Sequence, residues 1–311
     1  MQKHKKIEHI KIESIMQVGE LVDRMDKSGV FSAGRLAEAV DIYRDMVDDG
    51  STIFMGVGGA LVPGGLRRVL TKAISNDLVD VMVTTGANVT HDLIESFGGH
   101  HLRGEPMADD AKLRRQGVSR IYDVYVPQKA FELFEDRIQP MLAEVTKVDA
   151  HVSSARLLRE IGLRLSDRNS FLRAAARHEV PVFAPALADS ILGLQAWLYS
   201  QDHELIIDSL LDVREIVELA GKAKKPGAVL LGGGVSKNFV FQSMLLTSHA
   251  FEYAIQITMD RPEPGGLSGA TLEEAKSWGK VSPDARLVTV IGDATVIVPL
   301  LITALLGRLR K

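Results

Sequence analysis

The run GGLSGATLEEAKSWGK, from Gly265 to Lys280, places a lysine two positions after a tryptophan and shortly after a pair of glutamates. Gly265, Gly266 and Gly269 suit a tight loop. Thr271-Leu272-Glu273-Glu274 has the spacing of a capping box, so a short helix is expected through Ala275 and Lys276, ending near Trp278-Gly279. An extended segment after it would turn Trp278 and Lys280 to the same side. An amine against a large apolar ring loses water, and desolvation lowers a lysine pKa. The chemistry this permits is attack by a neutral amine on an imine. Plainer roles fit the same residues: a solvated lysine, a glutamate that only caps its helix, and a tryptophan that only packs.

Positioning such a lysine needs a scaffold, and composition sets its scale. The chain has 311 residues, 46% of them hydrophobic, enough for one large domain or two ordinary ones. A formal net charge of −3 gives no basic field for nucleic acid. The absence of cysteine rules out disulfides and thiolate metal sites, and fits a reducing, cytoplasmic setting. The basic start MQKHKKIEHIK lacks a following apolar stretch, so no secretory signal is expected. The apolar run from Ala294 to Gly307 is short for a membrane span and carries Pro299, so a buried helix is expected there, with no membrane contact.

Residues 1–50 are expected to form an N-terminal helical segment, with a helix over LAEAVDIYRDMVDD after Ser32-Ala33-Gly34-Arg35. Residues 51–311 form the α/β part. Ile53-Phe54-Met55 is a short buried strand. It runs into the glycine-rich turn and helix GVGGALVPGGLRRVL, and the strand VDVMVTT follows, Val79 to Thr85: a βαβ unit. The turn lacks the G-x-G-x-x-G spacing, and no acidic residue ends the second strand, so phosphate binding and simple packing both remain open for it. TTGANVTHD leaves that strand at its carboxyl end. His91, Asp92 and the pair His100-His101 match no strong metal-ligand spacing, and no metal is expected.

Residues 103–150 look like a charged insertion, and 151–178 like a helical pair. VPVFAPAL, Val180 to Leu187, is a buried strand with Asp189 just past it, placed either to bond a ribose hydroxyl or to cap the next helix. A helix from Asp202 to Lys222 leads to AVLLGGG, Ala228 to Gly234, then a helix over VSKNFVFQSML. YAIQITM ends at Asp260, with Glu263 close behind. LVTVIGDA, Leu287 to Ala294, ends at Asp293, a natural cap and a natural hydroxyl acceptor. Strands alternating with helices predict a mostly parallel sheet with helices on both faces. The polar and glycine motifs all fall at the carboxyl ends of strands, the edge where ligands of such sheets gather.

The run SGA…EEA…SWGK resembles the active-site segment of deoxyhypusine synthases, whose catalytic lysine falls on Lys280. STIFMG with its glycine turn, VDVMVTTG, VPVFAPAL with Asp189, LLGGGV with its following lysine, SWGK and the final Asp293-Ala294 pair resemble the family in order, from about Ser51 to Leu306. The resemblance implies a Rossmann-like core holding NAD around Gly59, Thr85, Gly86, Asp189, Gly233, Asp293 and Ala294. It implies that Glu274 and Trp278 line an amine channel beside Lys280. The implied reaction is NAD-dependent transfer of the aminobutyl group of spermidine, through an imine on the enzyme lysine, to a lysine of the hypusine-carrying translation initiation factor. A homotetramer built from dimers, with active sites at subunit interfaces, is implied too. Four positions depart from the eukaryotic-type pattern: Asn238 in place of a histidine, Leu194 and Leu267 in place of aspartates, and His91 in place of a glutamate. Lost anionic anchors weaken binding of a substrate with several ammonium groups, and Asp260, Glu263 and Asp92 are the candidates to compensate. The alternatives are a homospermidine synthase-like transfer to a small amine, or a non-catalytic NAD-binding homologue.

Overall fold

The computed structural model describes residues 5–310. By compactness the chain falls into two units, one comprising the chain through Gly58 together with Ile216 onward, the other Gly59–Glu215.

The first unit opens with helices α1 (Val18–Ser28) and α2 (Phe31–Asp48). Gly29 ends α1 at φ 65°, its N–H bonded back to Met25, the left-handed stop that glycine adopts at least cost. α2 starts at Phe31, ahead of the expected start after Arg35. Gly34 is helical, because the missing Cβ lets the backbone of Gly29 lie directly against it. Leu36, Ala37, Val40, Tyr43 and Met46 are buried, and α2 packs on the C-terminal part of its own unit. Strand β1 (Ile53–Val57) follows and is buried at every position.

The second unit begins with a wide turn over Val62–Leu66, then α3 (Arg67–Ile74), β2 (Val81–Thr84) and α4 (Gly86–Ser96). The charged insertion is a separate three-stranded antiparallel sheet of β3 (Leu102–Arg103), β4 (Val118–Ile121) and β5 (Val124–Pro127), in the order β3-β5-β4. Helix α5 (Asp110–Arg115) sits within it and α6 (Gln128–Thr146) after it. Next come β6 (His151–Val152), the expected helical pair α7 (Ser154–Arg164) and α8 (Phe171–Arg177), then β7 (Val182–Phe183), α9 (Ile191–Tyr199) and β8 (Ile206–Ile207). β7 pairs in parallel with β2 over two residues only. Pro181 and Pro185 bracket it and have no N–H to extend the ladder. α10 (Ser209–Lys222) starts later than the expected Asp202, because residues 206–207 are held as a strand against β6.

Back in the first unit, β9 (Gly227–Leu231), α11 (Val235–Gln242), β10 (Phe251–Thr258), α12 (Glu274–Ser277), β11 (Val281–Ile291) and α13 (Ala294–Leu309) complete the chain. Its strands lie in the order β11-β10-β9-β1, parallel at every pairing. β1 and β9 are apolar runs buried throughout, as strands covered on both faces must be. This is the α/β class the alternation predicts. α13 buries Ile297, Val298, Leu301, Ile302 and Leu305. Among the described residues no helix is long and apolar enough to cross a membrane.

Candidate active site

Lys280 lies in the crossover between β10 and β11. Thr271 Oγ1 accepts the Glu274 N–H at 3.1 Å, which is half of the expected capping box, and α12 lasts a single turn. The segment after it is not extended: Trp278 is helical and Gly279 takes φ 69°. This left-handed turn swings the chain back, so the Lys280 N–H reaches Ala275 O at 3.1 Å. The outcome foreseen for a strand arises from a turn, with Lys280 Nζ 5.3 Å from the centre of the Trp278 ring. Trp278 itself is 64% exposed, so it shields only one side of the amine.

Lys280 departs from the carboxyl-edge rule. Its carbonyl accepts the N–H of Phe251, the first residue of β10, at 3.1 Å, so its main chain sits at the amino end of that strand. The side chain bridges to α11, where Asn238 Oδ1 accepts from Nζ at 3.3 Å. The other motifs do follow carboxyl ends: Gly58 after β1, Gly232 after β9, Thr85 after β2, Asp293 after β11.

Lys280, Trp278, Glu274 and Asn238 line one cavity of about 370 Å³, with Phe241, Leu267 and Lys237. Burial holds the Lys280 ammonium below the usual lysine range. Lys237 is the more deeply placed amine, 4% exposed. It donates to Gln256 Oε1 at 3.1 Å and to the Ala270 carbonyl. Burial lowers its pKa to about 8, with Glu274 opposing and Lys280 assisting. Glu274 is the one carboxylate on this cavity among the described residues, facing two lysines.

His91 and Asp189 line a different cavity, in the second unit, of about 350 Å³. Ser190, not Asp189, caps α9, its side chain accepting the Gly193 N–H at 3.0 Å. That settles one of the alternatives for Asp189, whose side chain has no hydrogen-bond partner among the described residues. Asp92 cannot stand in as an amine anchor. It is fully buried and held by Arg67 at 2.6 Å, by Ser170 Oγ at 2.6 Å and by the Leu172 N–H at 3.2 Å. Asp260 and Glu263 are exposed, and Glu263 faces Arg261.

The remaining candidates differ in how much capacity they keep. Gly59 is left-handed at φ 58° with open space where a Cβ would be. Gly233 and Gly86 are instead close-packed on Ser268 and Ser190, which accounts for both glycines by packing. Thr85 caps α4, accepting the Asn88 N–H. Asp293 caps α13 through Oδ1, which accepts from the Thr295 N–H and hydroxyl, and Ala294 is the first residue of that helix.

The deoxyhypusine synthase family model matches residues 20–305 of the chain. A Methanosarcina acetivorans protein described as "Probable deoxyhypusine synthase 1" is 49% identical over 302 residues, covering 97% of this chain and 94% of that one. A "Probable deoxyhypusine synthase" of Methanothermobacter thermautotrophicus is 43% identical over 304 residues, 97% of this chain and 98% of the relative. The chain belongs to the deoxyhypusine synthase family. The fold agrees: a crystal structure described as "a putative deoxyhypusine synthase from Entamoeba histolytica" superposes with a TM-score of 0.66 at 18% identity, covering 94% of each chain.

Within this deoxyhypusine synthase fold, two groups escaped the sequence reading. Lys237 was visible only as the lysine of a motif, and nothing local marks it as buried. Its partners Gln256 and Ala270 lie 19 and 33 residues on. The second is a chain of polar contacts from His91 through His101 to Glu95. Its sequence signal was the four-residue spacing of His91 and Glu95, which puts both on one face of α4.

Proposed function

We propose that this chain transfers an aminobutyl group from spermidine or a related amine, with NAD, through an imine on Lys280 to a lysine of the hypusine-carrying translation initiation factor. The observation that carries the reading is the Lys280 amine, part-buried between Asn238 and the Trp278 ring, in a chain of this family. Burial favours the neutral form, and only a neutral amine attacks an imine carbon. Residues 51–311 are the catalytic part in this reading.

NAD, when bound, would take a hydride from the carbon beside the secondary amine and return it to the imine on the acceptor, so that the transfer is redox-neutral overall. In the second unit, the open left-handed turn at Gly59 and the free carboxylate of Asp189 are the groups that would hold it. The rest belongs to the chain's own groups. Glu274 seats an ammonium group of the amine, and Trp278 with Leu267 and Phe241 lines its methylene path. Lys280 Nζ forms the new C–N bond as diaminopropane leaves, and the butylimine then passes to the acceptor lysine. Lys280 in turn adds positive charge that disfavours protonation of Lys237, the more deeply buried amine.

Ile191, Leu194, Trp197 and Leu198 leave much of α9 exposed and apolar, which supports assembly into the family's homotetramer. Sedimentation of the purified protein tests that part. Spermidine labelled in its butyl carbons, supplied with NAD and the translation factor, tests the reaction: label on the factor supports it, and none on the factor contradicts it. One observation favours a second reading. Leu267 puts a hydrocarbon on the amine cavity where the family's pattern has an aspartate, which suits a donor or acceptor amine with fewer charges. Label in a small-molecule product would identify that case.

A further inference from the structure

Asp212, in the first turn of α10, is fully buried and lines a cavity of about 290 Å³ in the second unit. Its Oδ1 accepts the Ala155 N–H, at the start of α7, at 3.0 Å. Its Oδ2 has no hydrogen-bond partner among the described residues. With Oδ1 turned to α7, Oδ2 is the oxygen left for the cavity. Helix N-termini favour an anion here, while burial pushes the carboxyl above its ordinary range.

The walls indicate what would complete this carboxylate. Ala184, Leu187, Leu205 and Ile207 supply hydrocarbon, and Trp197 supplies an exposed indole ring. Among the described residues no lysine, arginine or histidine lines the cavity, so its own walls hold no charge opposite Asp212. Two of its hydroxyls are engaged: Ser154 Oγ accepts the Ala184 N–H at 2.8 Å, and Ser200 Oγ donates to Trp197 O at 2.7 Å. One carboxylate among such walls gives too few oxygens for a hard metal ion. A buried anion, hydrocarbon walls and an indole face suit an organic cation, which both the carboxylate and the ring attract. α9 turns Gly193, Ala196, Trp197 and Ser200 to the cavity, at the spacing of one helix face. Ile191, Leu194 and Leu198 fall on another face, so the cavity and an assembly surface there do not coincide.

We propose that this cavity binds a small primary alkylamine, its ammonium group paired with Asp212 Oδ2 and its hydrocarbon chain lying along Trp197. In a buried pair each ion lowers the desolvation cost of the other, so the bound ammonium keeps Asp212 in its anionic form. One carboxylate serves one ammonium, so a monoamine suffices. The proposal is independent of the Lys280 chemistry: the two cavities share no residue, and no bond is made or broken here.

The chain has two tryptophans. In the full-length Trp278→Phe protein Trp197 is the only one left, and its emission reports on this cavity. Titration with n-butylamine at neutral pH, without NAD or translation factor, should shift that emission saturably. Asp212→Asn in the same background keeps an oxygen for Ala155 and should weaken binding by about tenfold or more. n-Butanol, with the same chain and no charge, should be weaker by a similar factor. Equal binding of alcohol and amine, amine binding undiminished by Asp212→Asn, or an emission that does not respond to butylamine overturns the proposal. Should Asp212→Asn fail to fold, Ser200→Leu narrows the cavity without touching the carboxylate and is expected to show the same loss. Glu274→Gln separates this site from the Lys280 cavity. The Trp197 response should survive it, whatever happens to turnover with spermidine, and its loss there would place the amine in the other cavity and overturn the proposal.

Discussion

The two units handle charge in opposite ways. The cavity of the first unit holds two lysines and one carboxylate, and burial drives both amines toward neutrality. The His91 cavity of the second unit holds one carboxylate, Asp189, and that imidazole, whose pKa is lowered to about 4, chiefly by burial. One region lowers the pKa of two amines, and the other that of an imidazole. Both achieve it mainly by desolvation, which shifts basic groups downward wherever they are placed.

The comparison breaks most sharply at Lys280. Lys280→Arg keeps a cation but abolishes the neutral amine, so turnover should fall on the order of a thousandfold or more. Full activity in that variant would remove the nucleophile from the first unit. The second unit depends on its scaffold: Arg67 neutralises the fully buried Asp92 and also reaches Asp167 at 2.7 Å. Arg67→Ala leaves a buried carboxylate unpaired and should cost about 3–5 kcal/mol in denaturant unfolding. An unchanged midpoint would show that Asp92 is already neutral.

Lys237 sharpens the contrast through pH. Its folded pKa, about 8, lies below the ordinary lysine value of 10.5. Below pH 8 the folded state carries the full penalty of a buried ammonium. Between pH 8 and 10.5 the unfolded chain binds more protons, so this contribution becomes less unfavourable as pH rises, and it vanishes above 10.5. Lys237→Met should therefore stabilise the protein at pH 7, by roughly 1–3 kcal/mol less the lost hydrogen bonds, and less so at pH 10. An equal effect at both pH values would mean that the amine is not desolvated. The smallest change is expected of Asn238→Asp. A carboxylate beside Lys280 favours its protonated form, so the rising limb of the rate against pH should move up by about one unit. A downward move would contradict the contact between these side chains.

Much of this was legible in the sequence because it is local. The strands β1 and β9 are short apolar runs ended by glycines, and SWGK carries the lysine, though a left-handed turn at Gly279 stands where an extended segment was expected. What was not legible is long-range. β7 shrinks to two residues between prolines, while residues 206–207 become a strand only because His151-Val152 offers a partner. Lys280 was placed with the carboxyl-edge motifs, yet its carbonyl is tied to the amino end of β10. A lysine side chain is long enough to serve a site its own backbone does not adjoin. Lys237, in a helix whose sequence looks amphipathic, is buried by a glutamine from the next strand and a carbonyl from the following loop. Composition and periodicity do not report such partners.

Two amines share one cavity, and the account assigns the covalent bond to only one of them. Borohydride added during turnover with spermidine and NAD would fix the imine as a stable amine, and peptide mass mapping would place it. The added aminobutyl mass is predicted on the peptide containing Lys280, with Lys237 unmodified. An adduct on Lys237, or none on either lysine while product still forms, would contradict the account.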